Sequence, residues 1–279
     1  PGPRCCIGSR SRLMLTVTIN GKSYPAREGA TVLEVARAVG IRIPTLCHHP
    51  AIEPYGACRL CLVEVSARGR RRMVTACSYP VRDGLEVFTE TERVSRAREG
   101  IVQLLLARAP GSKALQALAD SLGVKEARFE AVTRAERDCI LCGLCVNVCR
   151  ERIGAAAISF AGRGATRQVA APFLEPPEAC VGCGACAEVC PVGTIELRWL
   201  ENSVEVLPFG ARLPLARCRE CGEPLGALPW YDHVRRRLAE RSLDLPYLCH
   251  SCKRRLSATA AKAASLADSR VASVRAGLP

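Results

Sequence analysis

Cysteine is the residue type through which this sequence can do chemistry. There are eighteen, and sixteen fall into four groups, with only Cys5 and Cys6 apart. The first group is Cys47, Cys58, Cys61 and Cys77, with ten, two and fifteen residues between successive members. The second, Cys139, Cys142, Cys145 and Cys149, is a C-x2-C-x2-C-x3-C run; the third, Cys180, Cys183, Cys186 and Cys190, repeats that spacing ahead of Pro191. The fourth is a pair of C-x2-C turns, Cys218/Cys221 and Cys249/Cys252. Thiolates are soft ligands, and at such spacings they select zinc or iron–sulfur clusters.

A compact C-x2-C-x2-C loop lets three thiolates converge on one cubane while the amides of the tight loop donate to its sulfurs. The fourth Cys, three residues on, points away at the start of a helix, so in a two-cluster ferredoxin it ligates the other cluster. The spacing therefore predicts one 4Fe–4S cluster on Cys139, Cys142, Cys145 and Cys190, and a second on Cys180, Cys183, Cys186 and Cys149. Gly143 in the first loop, and Gly182, Gly184 and Ala185 in the second, are the small residues such close packing needs. Eight buried or disulfide-bonded cysteines is the weaker account of a spacing that occurs twice. Arg150 follows Cys149 where the repeat has Pro. A cation there is expected to raise the potential of the nearby cluster, since charge and hydrogen bonding tune these centres.

The first group must be positioned by the segments around it. Leu15 to Ile19 alternates, Asn20-Gly21 is a strong two-residue hairpin turn, and Lys22 to Ala26 reads as the returning strand. Glu28-Gly29-Ala30-Thr31 then opens a helix with Val32, Leu33, Val35, Ala36 and Val39 as its apolar positions, closed by Gly40. Pro44 to Cys47 leaves that unit, a Gly-containing loop brings Cys58 and Cys61 back, and Leu62 to Val65 and Met73 to Cys77 read as further strands. A hairpin, a helix and more strands around a long Cys-bearing loop is a β-grasp layout. Plant-type ferredoxins hold a 2Fe–2S cluster on such a loop, at potentials near about −400 mV. Zinc is the alternative, but zinc ligand pairs are usually tight, unlike a ten-residue first gap.

In the fourth group two tight turns each present two thiolates, the pattern of zinc knuckles completing a tetrahedron, with another cluster as the competitor. The 27 residues between the turns hold an expected helix from Tyr231 to Arg241, which must fold back for the pairs to meet. A domain with so little apolar material would depend on its metal for stability. His48, His49 and His250 lie beside Cys residues and are read as supporting or solvated groups rather than ligands.

The rest of the composition narrows the function. The 279 residues are 48% hydrophobic but only 4% aromatic, too long and too ordinary in core material for a disulfide-stapled miniature. The formal charge is +13, carried almost wholly by Arg. The basic runs Arg235-Arg236-Arg237 and Lys253-Arg254-Arg255 are expected to be solvated faces or sites for an acidic partner. No stretch has the eighteen apolar residues of a membrane span, and no cleavage site follows the short apolar run at Leu13 to Ile19. The expected setting is a reducing cytoplasm, with thiols bound to metal. There is no G-x-G-x-x-G after a strand, no Walker A motif and no Ser/His/Asp arrangement.

Pro44-Thr-Leu-Cys-His-His-Pro50 and Gly56-Ala-Cys-Arg-Leu-Cys-Leu-Val-Glu64 resemble the N-terminal domain of the large iron–sulfur subunit of respiratory complex I. The same domain occurs in diaphorase subunits of NAD-linked hydrogenases and formate dehydrogenases, and in iron-only hydrogenases. Cys139 to Arg150 followed by Gly154 to Gly164 resembles the dicluster region of those families, so the likeness runs over residues 14–200 in order. Such relatives usually carry a further cluster on one His and three Cys, at a loop after a helix. Here the helix from Glu92 to Arg108 is expected, but the loop reads Ala109-Pro110-Gly111-Ser112, and residues 78–138 contain no Cys and no His. The linker is expected to survive without that cluster. The N-terminal cluster then either docks differently or reaches the dicluster pair through a partner.

The expected protein is modular α+β: an extension at 1–12, a 2Fe–2S β-grasp ferredoxin domain at 13–90, a helical linker at 91–130, a dicluster 4Fe–4S ferredoxin domain at 131–200, a zinc-ribbon-like domain at 201–256 and a tail at 257–279. It would hold one 2Fe–2S cluster, two 4Fe–4S clusters and one zinc. The resemblance implies an electron-relay subunit without a substrate-converting site of its own. Its partners would be a flavin-containing subunit that oxidises NAD(P)H and a hydrogenase, formate dehydrogenase or quinone-reducing module, with no nucleic acid and no direct membrane span. The competing function is a redox-sensing nucleic-acid-binding protein, suggested by charge and ribbon. Against it stand the few aromatic platforms and the scattered basic residues.

Overall fold

The computed structural model describes residues 14–67, 69–124, 128–131 and 138–259. The extension expected at 1–12 lies outside them, as does the tail beyond residue 259. The chain divides into two compact units, residues 1–170 with 185–194, and residues 171–184 with 195–279.

The first unit begins with the hairpin. Strands β1 (Met14–Ile19) and β2 (Lys22–Arg27) pair antiparallel, with Asn20 and Gly21 both in the left-handed region that this turn requires. Helix α1 (Val32–Ala38) starts on a capping box: the Thr31 hydroxyl accepts from the Glu34 amide, and the Glu34 carboxylate accepts from the Thr31 amide. Val32, Leu33, Val35 and Ala36 of this helix are buried with Val17 and Ile19 of β1. Strands β3 (Leu62–Ala67), β4 (Arg70–Thr75) and β5 (Leu85–Phe88) complete a five-stranded sheet in the order β2-β1-β5-β3-β4. The β1–β5 pairing is parallel, which makes this the β-grasp arrangement. β4 lies earlier than Met73 to Cys77: it is the antiparallel return from β3, it ends at Thr75, and Cys77 sits in the turn that follows.

Helix α2 (Glu92–Arg108) is capped by the Thr91 hydroxyl and packs on β3. The Ala109 to Ser112 loop then leads into α3 (Lys113–Ser121), whose cap is the Ser112 hydroxyl. The Gly111 amide donates to Asp138 Oδ1 at 2.9 Å, and the Gln116 amide group donates to the Pro110 carbonyl at 2.8 Å. This loop is thus a hydrogen-bonded turn tied to the residue before Cys139. Short helix α4 (Leu144–Asn147) runs into a π-helical turn, Val148–Ile153, then the β6 (Ser159–Ala161) and β7 (Gln168–Ala170) hairpin; α5 (Ala185–Glu188) closes the unit. The π turn lets one carbonyl, that of Cys149, accept from the amides of Gly154, Ala155 and Ala156.

The second unit is built on a four-stranded antiparallel sheet that the sequence pattern did not announce. Strands β8 (Glu196–Trp199), β9 (Ser203–Leu207), β10 (Ala211–Arg217) and β11 (Pro224–Ala227) lie in the order β11-β10-β9-β8. Helix α6 (Leu228–Ala239) packs on β10 and β11. It begins three residues before Tyr231 because Pro229 suits a first helical turn, where its missing N–H costs nothing. Residues 250–259 are helical.

Candidate metal centres

Cys47, Cys58, Cys61 and Cys77 are all buried, at 2%, 6%, 1% and 1% exposure. The helix-to-loop exit at Pro44 delivers Cys47, β3 starts just after Cys61, and the turn after β4 delivers Cys77. The thiols pair two by two. Cys47 and Cys58 share a hydrogen bond that holds the Cys58 thiol down to about 6 and pushes that of Cys47 up. Cys61 and Cys77 share another, which raises Cys61 and lowers Cys77. The Cys58 amide donates to Cys47 Sγ at 3.4 Å. Four thiols packed this closely away from water compete for the same protons, and a cation set resolves the competition. Arg59, in the turn between Cys58 and Cys61, adopts φ +60°, a left-handed backbone uncommon for a residue other than glycine. The two histidines serve the loop: His48 Nδ1 lies 3.1 Å from the Arg37 guanidinium, and His49 Nδ1 accepts from the Ala51 amide.

In the dicluster region the loop before α4 carries Cys139 and Cys142, and Cys145 is the second residue of α4 itself. Leu141 takes φ +53° and Gly143 φ +80°, the left-handed positions at which this loop turns between its cysteines. Burial pushes the Cys142 thiol up to about 12, and the thiols of Cys139, Cys190 and Cys58 act on it in the same direction. Burial likewise raises Cys145, on which Cys142, Cys139, Cys186 and Cys190 all act. Amides are aimed at the remaining sulfurs: Ala157 N donates to Cys149 Sγ at 3.3 Å and Thr194 N to Cys190 Sγ at 3.4 Å. Arg108 braces the loop, donating from Nε to the Cys139 carbonyl at 3.1 Å and from Nη2 to the Arg167 carbonyl at 2.8 Å. Arg150 bonds Asn147 Oδ1 at 3.2 Å and pairs with Glu151 at 3.1 Å, its side chain 62% exposed.

Cys186 and Cys149 lie in the first unit, on α5 and the π turn; Cys180 and Cys183 lie on segment 171–184 of the second. Gly182 adopts φ +69°, the conformation Leu141 takes at the equivalent place of the repeat. Inside the second unit this segment rests on the sheet. A methyl on Gly182 would fall 2.6 Å from the Ala227 Cβ and 2.6 Å from Leu213 Cδ1, and one on Gly184 2.8 Å from Leu197 Cδ1.

One packed core links the first two cysteine groups. Cys47, Cys58 and Leu60 share it with Val102 of α2, Leu115 and Ala119 of α3, and Cys142, Leu144 and Val148. The Cys58 thiol is within electrostatic reach of Cys142. Arg152 donates from Nε to the Ala51 carbonyl, and the Glu53 amide faces Glu151 at 3.5 Å, so the 47–58 loop and the π turn are also stitched at the surface.

The C-terminal pairs do meet. The sulfurs of Cys218, Cys221, Cys249 and Cys252 all lie within 4.8 Å of one another, and Cys221 and Cys249 are 3.6 Å apart. A tetrahedral zinc with bonds of about 2.3 Å needs sulfur edges of about 3.8 Å, so the donor set fits that ion. Both turns are hydrogen-bonded: Gly222 N donates to the Cys218 carbonyl at 2.9 Å and Cys252 N to Cys249 Sγ at 3.4 Å. The fold-back is made by aromatics. The Tyr231 hydroxyl donates to the Pro246 carbonyl, its ring stacks on Tyr247 at 4.8 Å, and the Tyr247 hydroxyl donates to Asp232. Arg255 Nη2 donates to Cys252 Sγ at 3.3 Å.

Residues 12–92 match the family described as 2Fe-2S iron-sulfur cluster binding domain, and residues 132–197 the 4Fe-4S dicluster domain. A chain of the NAD+-reducing NiFe-hydrogenase, solved in the H2-reduced state, superposes with TM-score 0.57 and 30% identity, covering 72% of this chain and 91% of that one. The chain belongs to the complex I and diaphorase family of iron–sulfur subunits. Family members similar to it include the NADPH-Fe(3+) oxidoreductase subunit alpha of Geobacter sulfurreducens, 35% identical over 65% of this chain and 24% of its own length. The NADP-reducing hydrogenase subunit HndD of Solidesulfovibrio fructosivorans is 32% identical over 77% of this chain and 43% of its own. The NADH-ubiquinone oxidoreductase 75 kDa subunit of Reclinomonas americana is 31% identical over 65% of this chain and 29% of its own. The chain thus spans less than half the length of these family members. Among the described residues no helix is long and apolar enough to cross a membrane.

Proposed function

We propose that this chain is an electron-relay subunit of a multi-subunit oxidoreductase. Cys47, Cys58, Cys61 and Cys77 hold a 2Fe–2S cluster, with the first pair on one iron and the second on the other. Cys139, Cys142, Cys145 and Cys190 hold one 4Fe–4S cluster; Cys180, Cys183, Cys186 and Cys149 hold a second. Cys218, Cys221, Cys249 and Cys252 hold a structural zinc in a ribbon-like domain. Each cluster exchanges one electron with little rearrangement, so a series of them turns a two-electron hydride event at a flavin partner into single-electron transport. The NAD(P)H-linked flavoprotein is the donor or acceptor on one side, and a hydrogenase, formate dehydrogenase or quinone-reducing module stands on the other, within the cytoplasm. The observation that carries this is the single packed core shared by Cys47, Cys58 and Cys142. That shared core supports direct electron exchange between the proposed 2Fe–2S and first 4Fe–4S clusters. The kinship with oxidoreductase subunits favours this function over nucleic-acid binding.

The test is an anaerobic preparation analysed for metal and titrated with dithionite under EPR. About ten irons, one zinc, one 2Fe–2S signal and two 4Fe–4S signals are expected. A colourless protein without acid-labile sulfide would refute it.

A further inference from the structure

Arg98 is the most deeply buried cation among the described residues, at 6% exposure in the middle of α2. Its Nη2 donates to the Leu62 carbonyl at 2.8 Å, the carbonyl that follows directly on Cys61. Its Nε–H is buried and finds no acceptor among the described residues. Neither does it form an ion pair there: the buried carboxylate of the neighbourhood, Glu64, is taken by Arg93 at 3.4 Å. A guanidinium removed from water needs a compensating anion and acceptors for its donors, or it destabilises the fold. The residues around it supply only half of that.

We infer that Arg98 is the internal counter-cation of the 2Fe–2S centre, its buried charge and free Nε–H directed at the sulfur side of the Cys61 iron. The inference rests on the assignment of Cys47, Cys58, Cys61 and Cys77 to that cluster. A 2Fe–2S centre on four thiolates is anionic when oxidised and gains one more negative charge on reduction. A fixed buried cation therefore favours the reduced form and raises the midpoint potential, and a hydrogen bond to sulfur acts in the same direction. Desolvation lowers the Arg98 pKa, and the groups that oppose it are the Cys61 thiol first and Glu90 second. Glu90 is exposed, so water screens it; Cys61 is buried. The nearest effective anion is thus the cluster ligand. Arg98 sets how readily this centre takes an electron relative to its 4Fe–4S neighbour, and so biases the direction of flow within the subunit.

The test uses the full-length holoprotein with potentiometric EPR on Arg98→Met, Arg98→Gln and Arg98→Lys. In the two neutral variants the reduced-to-oxidised ratio of the 2Fe–2S cluster at a fixed poise is expected to fall about tenfold, equivalent to about 59 mV for one electron. The 4Fe–4S midpoints stay where they are, and Arg98→Lys returns most of the shift. Either neutral variant assembling with the wild-type 2Fe–2S midpoint overturns the inference. If both neutral variants lack the 2Fe–2S signal while Arg98→Lys keeps it, the charge requirement stands; if Arg98→Lys loses it too, Arg98 is a packing residue and the inference falls. A wild-type protein without any 2Fe–2S signal would instead refute the cluster assignment itself.

Discussion

The ring of Tyr55 packs closely on Gly143, with its Cδ1–Cε1 edge over the place a side chain would take. A methyl on that glycine would stand 3.2 Å from both Cδ1 and Cε1 of the tyrosine. Tyr55 belongs to the loop between Cys47 and Cys58, Gly143 to the loop between Cys142 and Cys145, and Phe160 backs the tyrosine with ring centroids 6.5 Å apart. Two ligand loops remote in sequence are therefore held by an aromatic on one and the absence of a side chain on the other. Tyr55→Ala is expected to destabilise the first unit by roughly 1–3 kcal/mol, less than a fully buried ring because Tyr55 is 47% exposed. It is also expected to slow electron equilibration between the 2Fe–2S and first 4Fe–4S clusters, while Tyr55→Phe leaves both unchanged. Denaturant unfolding and pulse-radiolysis kinetics read the two effects.

Gly143→Ala should be more severe than Tyr55→Ala. It adds left-handed strain of about 1–2 kcal/mol at φ +80° to the collision with Tyr55. The expected outcome is loss of about four irons with the 2Fe–2S signal retained. Iron and acid-labile sulfide analysis beside EPR checks it.

The seating of Gly182 on Ala227 and Leu213 ties the loop of Cys180 and Cys183 to the hairpin of β10 and β11, and that hairpin runs straight from the Cys218 knuckle. Losing zinc, by Cys252→Ser, is expected to loosen the hairpin and release the second 4Fe–4S cluster while the first and the 2Fe–2S persist. Gly182→Ala should give the same iron loss with zinc still bound. A zinc-free Cys252→Ser protein with its full iron content would contradict this.

Arg108 holds the Cys139 and Arg167 carbonyls with one guanidinium. Removing two charge-assisted bonds by Arg108→Ala is expected to cost about 2–4 kcal/mol and to weaken retention of the first 4Fe–4S cluster. Bleaching rates under air, compared with Arg108→Lys, measure it.

Arg150 was expected from its position to raise a cluster potential. Its pairing with Glu151 and its exposure both reduce that influence. Arg150→Gln should lower the midpoint of the cluster ligated by Cys149 only slightly, and by less in high salt, whereas Glu151→Gln should raise it. Redox titration at two ionic strengths decides the sign.

Local order was written in local sequence. The hairpin follows from Asn20-Gly21, helix α1 from Thr31 and Glu34, and α2 runs from Glu92 to Arg108 as its apolar spacing indicates. The cysteine spacing likewise names the ligand types, because a short loop admits few ways to converge thiols on one centre. The second sheet escaped notice for an equally local reason. β10 carries Pro214 in its interior, β11 opens on Pro224 and contains Gly226, and such residues argue against strands.

What the order of residues by itself determined about this protein is therefore its chemistry: which thiols are grouped, and the short elements that carry them. Only the tertiary structure decided that Tyr55 meets Gly143, that Arg98 is buried against the Leu62 carbonyl with no carboxylate partner among the described residues, and that Gly182 rests on Ala227. These are contacts between segments tens of residues apart. They are set by which apolar faces bury together and by the exclusion of water from the core, and neither is encoded in any one stretch of the chain.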